Sequence, residues 1–241
     1  GKTDEAIRRL QSAQEKAAGD RLADEIPRFI ATAYEKAGQR GEAIRYYEKF
    51  LEEVTSGKRK VSPESADQTR LLLAGALADE KKTAEAVTRL KELATSAATP
   101  SVREKAAFRM GSVLRADGRP AEAAEAFDQF AKNFPDSANL DAALLLRGDA
   151  LLEAKQTPAA LEAWQKAATR FRGSPSGLEA LERIWRTYAR EKKTDQMLTT
   201  QEEQFRDYPK EPRNIGALLN RGAVFAEARD EEQALQASRR G

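Results

Sequence analysis

Cysteine and histidine are both absent from the 241 residues. The first absence excludes disulfides, thiolate metal sites and a cysteine nucleophile. The second removes the commonest general base and the commonest transition-metal ligand together. Neither absence fixes a compartment. No apolar run approaches the ~20 residues needed to span a bilayer, so no direct membrane insertion is expected. Neither sign of charge dominates: 41 Lys and Arg stand against 39 Asp and Glu, a net of +2. Such a mixed surface has no strong pull on nucleic acid or membrane. No Gly-rich phosphate loop is present, no stretch follows the calcium-loop spacing, and serines such as Ser112 have no histidine to activate them. The paired carboxylates Glu52-Glu53, Asp79-Glu80, Glu202-Glu203 and Glu231-Glu232 are adjacent in sequence. Neighbours on a helix point to different sides, so none of these pairs is preset to share a substrate. The expectation is a protein with no catalytic site, no cofactor and no metal.

What is present is a period. Ala86, Ala123, Ala160, Met197 and Ala234 follow one another at intervals of 37, as do Ala6 and Ala43. Only Ala43 to Ala86 departs, at 43, which implies a six-residue insertion placed at residues 55–65. A fixed period of this size with two helices per unit is the mark of stacked helix pairs, which form extended binding faces more often than enclosed active sites. Aromatic residues are only 7%, whereas alanine is plentiful, as expected where helices pack closely.

The clearest unit runs from Glu104 to about Leu140. Small Gly111 allows close helix approach, and Leu114 shares its face. Gly118 suits the left-handed residue that ends a helix, and Pro120 suits the first turn of the next. Phe127 and Phe130 lie on the buried stripe, and Pro135 stops the helix. The order small residue, large apolar, turn Gly, Ala, aromatic, small, Pro resembles the tetratricopeptide repeat. Related units start at about residues 24, 67, 141, 178 and 215, with a partial repeat at 1–20. The unit from 178 departs most, with Trp185, Tyr188, Lys192, Met197, Gln201 and Gln204 at its pattern positions. Trp164, Trp185, Tyr188, Phe127 and Phe130 fall at packing positions and are read as core.

The resemblance implies an all-α fold: a right-handed superhelical solenoid of antiparallel helix pairs, about thirteen helices in a single array over 1–241. Capping hydroxyls are expected at Ser62, Thr99, Thr157 and Ser174, each before a proline, and at Thr83, Ser137 and Thr194 without one. The last helix is expected to start near Asp230. The chain opens at Gly1 already inside a repeat, which suggests part of a longer protein. The Lys58-Arg59-Lys60 run in the insertion is shorter than a nucleic-acid or targeting motif needs and reads as a solvated loop.

In this family the first helices line the concave face, and their positions map here residue by residue. They give Lys105, Phe108, Arg109, Ser112 and Arg115 in one unit, Asp149 in the next, and Glu179, Glu182, Arg183, Arg186 and Arg190 in the one after. Arg183, Arg186 and Arg190 lie three and four apart and form a basic stripe suited to an acidic peptide or chain terminus. The same glutamates can neutralise it along the helix. The candidate partner-binding residues are therefore Arg183, Arg186, Arg190, Lys105, Phe108, Arg109, Arg115 and Asp149. The family's carboxylate clamp needs Asn where this chain has Thr32, Gly75, Ser112, Asp149, Arg186 and Ala223, so a chaperone-tail adaptor is not expected.

Two units close on Asn133-Phe134-Pro135-Asp136-Ser137 and Asp207-Tyr208-Pro209. Such closes, in units of 37, resemble the bacterial envelope branch: outer-membrane assembly lipoproteins of the BamD type, cell-division coordinators and polysaccharide-export scaffolds. The resemblance implies a non-catalytic scaffold that holds protein or peptide partners, periplasmic or associated with the outer membrane. The alternative is a cytoplasmic regulatory or sensor module joined to an effector domain. The sequence leaves the oligomeric state open.

Overall fold

A computed structural model describes residues 2–17 and 21–238. Among the described residues helix is the only regular structure, and there are twelve helices. They divide between two compact units, Gly1–Ala143 and Leu144–Gly241. The first unit holds α1 (Lys2–Lys16), α2 (Arg21–Lys36), α3 (Arg40–Thr55), α4 (Pro63–Asp79), α5 (Thr83–Ser96), α6 (Pro100–Ala116) and α7 (Pro120–Asn133). The second holds α9 (Thr157–Arg170), α10 (Pro175–Arg190), α11 (Thr194–Asp207) and α12 (Asn214–Ser238), with α8 (Leu140–Glu153) running across the division.

The 37-residue period is written in the backbone of the turns. In five of them the N–H three residues past the last helical residue donates to a carbonyl five residues back. The pairs are Gln39 to Tyr34, Lys82 to Leu77, Arg119 to Leu114, Gln156 to Leu151 and Lys193 to Tyr188. This bond is the one a left-handed residue creates at a helix end. That residue is Gly38 or Gly118 in two turns and Lys81, Lys155 or Lys192 in the others, all with φ between 56° and 74°. A lysine there costs roughly 1–2 kcal/mol in Cβ–carbonyl crowding, which the packing of the flanking helices offsets.

Two details differ from the sequence expectations. Ser62 and Ser174 do cap, accepting from Ser65 N at 3.1 Å and Gly177 N at 3.3 Å. Thr99 holds a cap position without a capping bond. Thr83, Thr157 and Thr194 lie one residue inside their helices, because the tight turn makes Lys82, Gln156 and Lys193 the cap residues. Freed from capping, Thr83 donates to Asp117 at 2.7 Å. Ser137, which precedes α8, accepts from Asn139 N at 2.9 Å and donates to Glu104 at 2.6 Å. The twelve helices are close to the thirteen expected, and the second difference lies in the last unit. A turn is expected at Arg229, 37 residues after Lys192, yet α12 continues through it as one helix of 25 residues. The side chains of Ala234 and Ser238, the pattern positions of that last unit, lie outside the described residues.

In the first unit the helix-pair clusters are apolar. Ala31, Ala43, Ile44, Tyr47, Leu73, Leu77 and Ala86 form one cluster, and Leu90, Leu93, Val102 and Ala106 another. In the α6–α7 pair, Phe127 and Phe130 are fully buried and Phe108 meets them edge-on, with centroids 5.7 and 5.4 Å away. A Cβ on Gly111 would stand 2.8 Å from the Phe127 ring, so only glycine lets α6 and α7 approach this closely. The second unit repeats the device at Gly148, covered by the indole of Trp164, whose Nε1 donates to the Leu145 carbonyl at 3.1 Å.

The α10–α12 region is built differently. Gln201 and Gln204 stand where α7 has Phe127 and Phe130, and both are completely buried. Trp185 Nε1 donates to Gln204 Oε1 at 2.9 Å. Gln204 Nε2 then donates to Asn214 Oδ1 at 2.9 Å, and Asn214 Nδ2 to the Tyr208 carbonyl at 2.7 Å. A buried amide is costly unless bonded, so this chain of donors fixes how α10, α11 and the start of α12 meet.

Candidate partner-binding surface

The candidate residues of the second unit sit on α10. Leu178, Leu181, Ile184 and Trp185 turn inward, leaving Glu179, Arg183, Arg186 and Arg190 on the other side. The basic stripe is largely answered from within. Arg183 forks onto Asp149, Nε to Oδ1 at 2.6 Å and Nη2 to Oδ2 at 3.2 Å, and its Nη1 reaches Glu179 at 2.8 Å. Burial opposes its charge, but the two carboxylates outweigh burial and hold the guanidinium more firmly protonated than usual. Arg186 rests on the Trp185 ring, 5.3 Å from its centroid, and lies 3.8 Å from buried Glu182. Arg213 approaches the same carboxylate at 3.7 Å. Arg190 is exposed and donates to Thr187 Oγ1 at 3.3 Å. The structure thus joins Asp149 to Arg183 as a structural ion pair and leaves Arg186 and Arg190 facing solvent.

In the first unit Lys105 is exposed on α6, Phe108 is half-buried in the aromatic cluster, and Arg115 is half-buried. The Arg109 guanidinium lies flat over α4 at Gly75, in the space that a Cβ there would occupy. Of the eight residues, Lys105, Arg186 and Arg190 are the exposed ones. Two arginines at a usually apolar pattern position, Arg147 and Arg221, are half-buried, and Arg221 pairs with Glu202 at 3.0 Å while lying over Phe205.

The largest exposed apolar feature was not singled out from the sequence. One side of α12 packs Ala217 and Val224 against Trp185, Met197 and Phe205. The other carries Ile215 (63% exposed), Leu218 (54%), Leu219 (70%) and Phe225 (54%). Ile215, Leu218, Gly222 and Phe225 lie three and four apart, with Leu219 four from Ile215, so they make one continuous stripe. Gly222 lies within it, in register with Gly111 and Gly148, and among the described residues no atom comes within 4 Å of where its Cβ would be. The visible signal was this glycine: a close-packing position with no aromatic 16 residues later, where Ser238 stands. Among the described residues no helix is long and apolar enough to cross a membrane.

Two family models described as tetratricopeptide repeat match the chain, at residues 28–61 and 108–176. None of the curated proteins compared matches it. Among solved structures, BtubC from P. vanneervenii is 14% identical with a TM-score of 0.62, covering 85% of this chain and 88% of its own. PilF of Pseudomonas aeruginosa is 20% identical with a TM-score of 0.53, covering 94% and 90%. MamA from Desulfovibrio magneticus RS-1 is 21% identical with a TM-score of 0.51, covering 78% and 93%. At these identities the likeness is one of fold. The repeated turns, the glycine-over-aromatic packing and the two matched segments lead to one conclusion: this chain carries tetratricopeptide repeats and has the helix-pair fold that generally serves as a protein–protein interaction scaffold.

Proposed function

We propose that this chain is a non-catalytic scaffold whose α12 stripe receives a helix from a partner protein, within a bacterial envelope assembly. The observation that carries the scaffold reading is the stripe itself: Ile215, Leu218, Leu219 and Phe225 around a Gly222 that nothing among the described residues covers. Inside this chain a glycine at that register sits under an aromatic ring of a neighbouring helix, Phe127 on Gly111 and Trp164 on Gly148. The fitting occupant is therefore an amphipathic helix bearing an aromatic residue. Apolar anchors of this kind supply most of the affinity, while exposed charges of the same unit such as Arg186 and Arg190 tune selectivity. The envelope setting, periplasmic or at the outer membrane, rests on the Phe134-Pro135-Asp136-Ser137 and Tyr208-Pro209 closes, which resemble those of envelope proteins.

A photo-crosslinking amino acid at Leu219 in living cells, with a second at exposed Glu125 on α7 as control, tests both parts. The expected product links position 219 to an aromatic-bearing helix of an exported protein, and Gly222→Trp abolishes it by filling the gap. A crosslink to a cytoplasmic protein overturns the envelope setting and leaves the scaffold. A crosslink to a second copy, or to residues 230–241 of the same chain, overturns the heterologous helix.

A further inference from the structure

The inserted loop after α3 builds a wall. Arg59 folds back over Phe50, 5.0 Å from the ring centroid, and its Nε and Nη2 lie 3.0 and 2.9 Å from Glu53. The flanking Lys58 and Lys60 point to solvent. Arg59 thereby encloses, with α1 and α3, a cavity of about 190 Å³. Gln14 of α1 lines it and is only 3% exposed. Its Oε1 accepts from the Tyr46 hydroxyl at 2.6 Å, while its Nε2 has no acceptor among the described residues. Buried N–H groups without an acceptor are rare and each asks for an explanation.

The lining defines what would satisfy it. Lys49 and Arg59 are balanced by Glu15 and Glu53, so the cavity gives no net preference to an ion of either sign. The idle Nε2 calls for an acceptor, and the exposed Glu15 carboxylate on the cavity's lining can accept from a donor placed beside it. The Tyr46 and Phe50 rings, stacked with centroids 6.4 Å apart, give an aromatic wall. A neutral, planar group with an acceptor and a donor side by side meets all of these demands. We infer that this cavity is a socket for a primary carboxamide. Its oxygen takes the Gln14 Nε2 hydrogen, its NH₂ faces Glu15, and its plane lies along the aromatic wall. The socket lies wholly in the first unit and does not depend on the α12 surface.

The test is an NMR titration of the whole ¹⁵N-labelled chain with N-acetylglutamine methylamide, beside the leucine and glutamate analogues. The glutamine probe is expected to shift the Gln14 side-chain NH₂ pair and the Arg59 Nε–H, and the leucine analogue to bind about tenfold more weakly, as loss of the hydrogen bonds to a buried donor implies. Gln14→Leu is expected to abolish the response with the rest of the spectrum in place, and Arg59→Ala to weaken it. Equal response to all three probes, shifts lying outside the cavity, or unchanged binding in Gln14→Leu overturns the socket. Should Gln14→Leu disturb the fold, unchanged binding in Arg59→Ala overturns it instead. A heptapeptide with one central Gln that binds more tightly than the methylamide assigns the carboxamide to a protein side chain. Equal affinity assigns it to a free small amide.

Discussion

In the α6–α7 pair Gly111 lies beneath Phe127, and Phe130 completes an aromatic cluster. Two periods later the same positions of the α10–α11 pair hold Trp185, Gln201 and Gln204. The bulk has moved from the second helix to the first, and the space opposite holds amides instead of rings. The positions stay buried while their chemistry changes. An indole on the first helix brings an N–H that must be answered, and Gln204 answers it at 2.9 Å. Gln204 in turn needs Asn214, so one size exchange draws a polar chain into the core of the second unit. Close packing tolerates exchanges that keep volume, but each polar atom brought inside needs its partner.

Substitutions at matched positions break this contrast. Phe127→Ala removes the ring that covers Gly111 and is expected to cost about 3–5 kcal/mol, read from the urea midpoint of the first unit. Gln204→Leu keeps the volume but strands the Trp185 N–H and an Asn214 oxygen, and about 2–3 kcal/mol should be lost. Restoring an apolar pair by Trp185→Gly with Gln201→Phe sharpens the same point. If hydrogen bonding rather than volume fixes the site, that double variant remains less stable than the parent while Asn214 and Gln204 stay buried.

The glycines give a smaller effect of opposite sign in two places. Gly148→Ala drives a methyl into the Trp164 indole and should cost about 1–3 kcal/mol. Gly222→Ala meets nothing and should gain about 0.5–1 kcal/mol from reduced backbone entropy. A loss at position 222 would show that the stripe is already covered in solution. The smallest expected change is Lys155→Gly, which relieves a left-handed side chain at φ 60° and should raise the melting midpoint by the equivalent of roughly 1 kcal/mol or less.

The fold was legible because a repeat states its packing several times. Gly111 and Phe127, read once, are weak; the same offset at Gly148 and Trp164 makes them a rule. The turns were legible even where lysine replaces glycine, since the register places Lys81, Lys155 and Lys192 beside Gly118. What failed was the turn at Arg229. There the second helix would offer Ser238 where the other units offer Tyr47, Leu90, Phe127, Trp164 and Gln201, so less burial is available to offset a strained residue. The candidate site was less legible. Glu179 lies one turn from Arg183 and was foreseen as a partner, whereas Asp149 lies 34 residues away on another helix and its fork onto Arg183 is a fact of tertiary packing. The Gln14 socket depends on where an inserted loop folds back, which no period records.

The ring of Phe127 reaches a glycine only 16 residues upstream, and Trp164 does the same. Closing so short a stretch of chain costs little entropy, and contacts that are local in sequence form early. Each such helix pair can therefore lock while the ribosome is still making the next one, and the nascent chain would expose few unfinished apolar surfaces at a time.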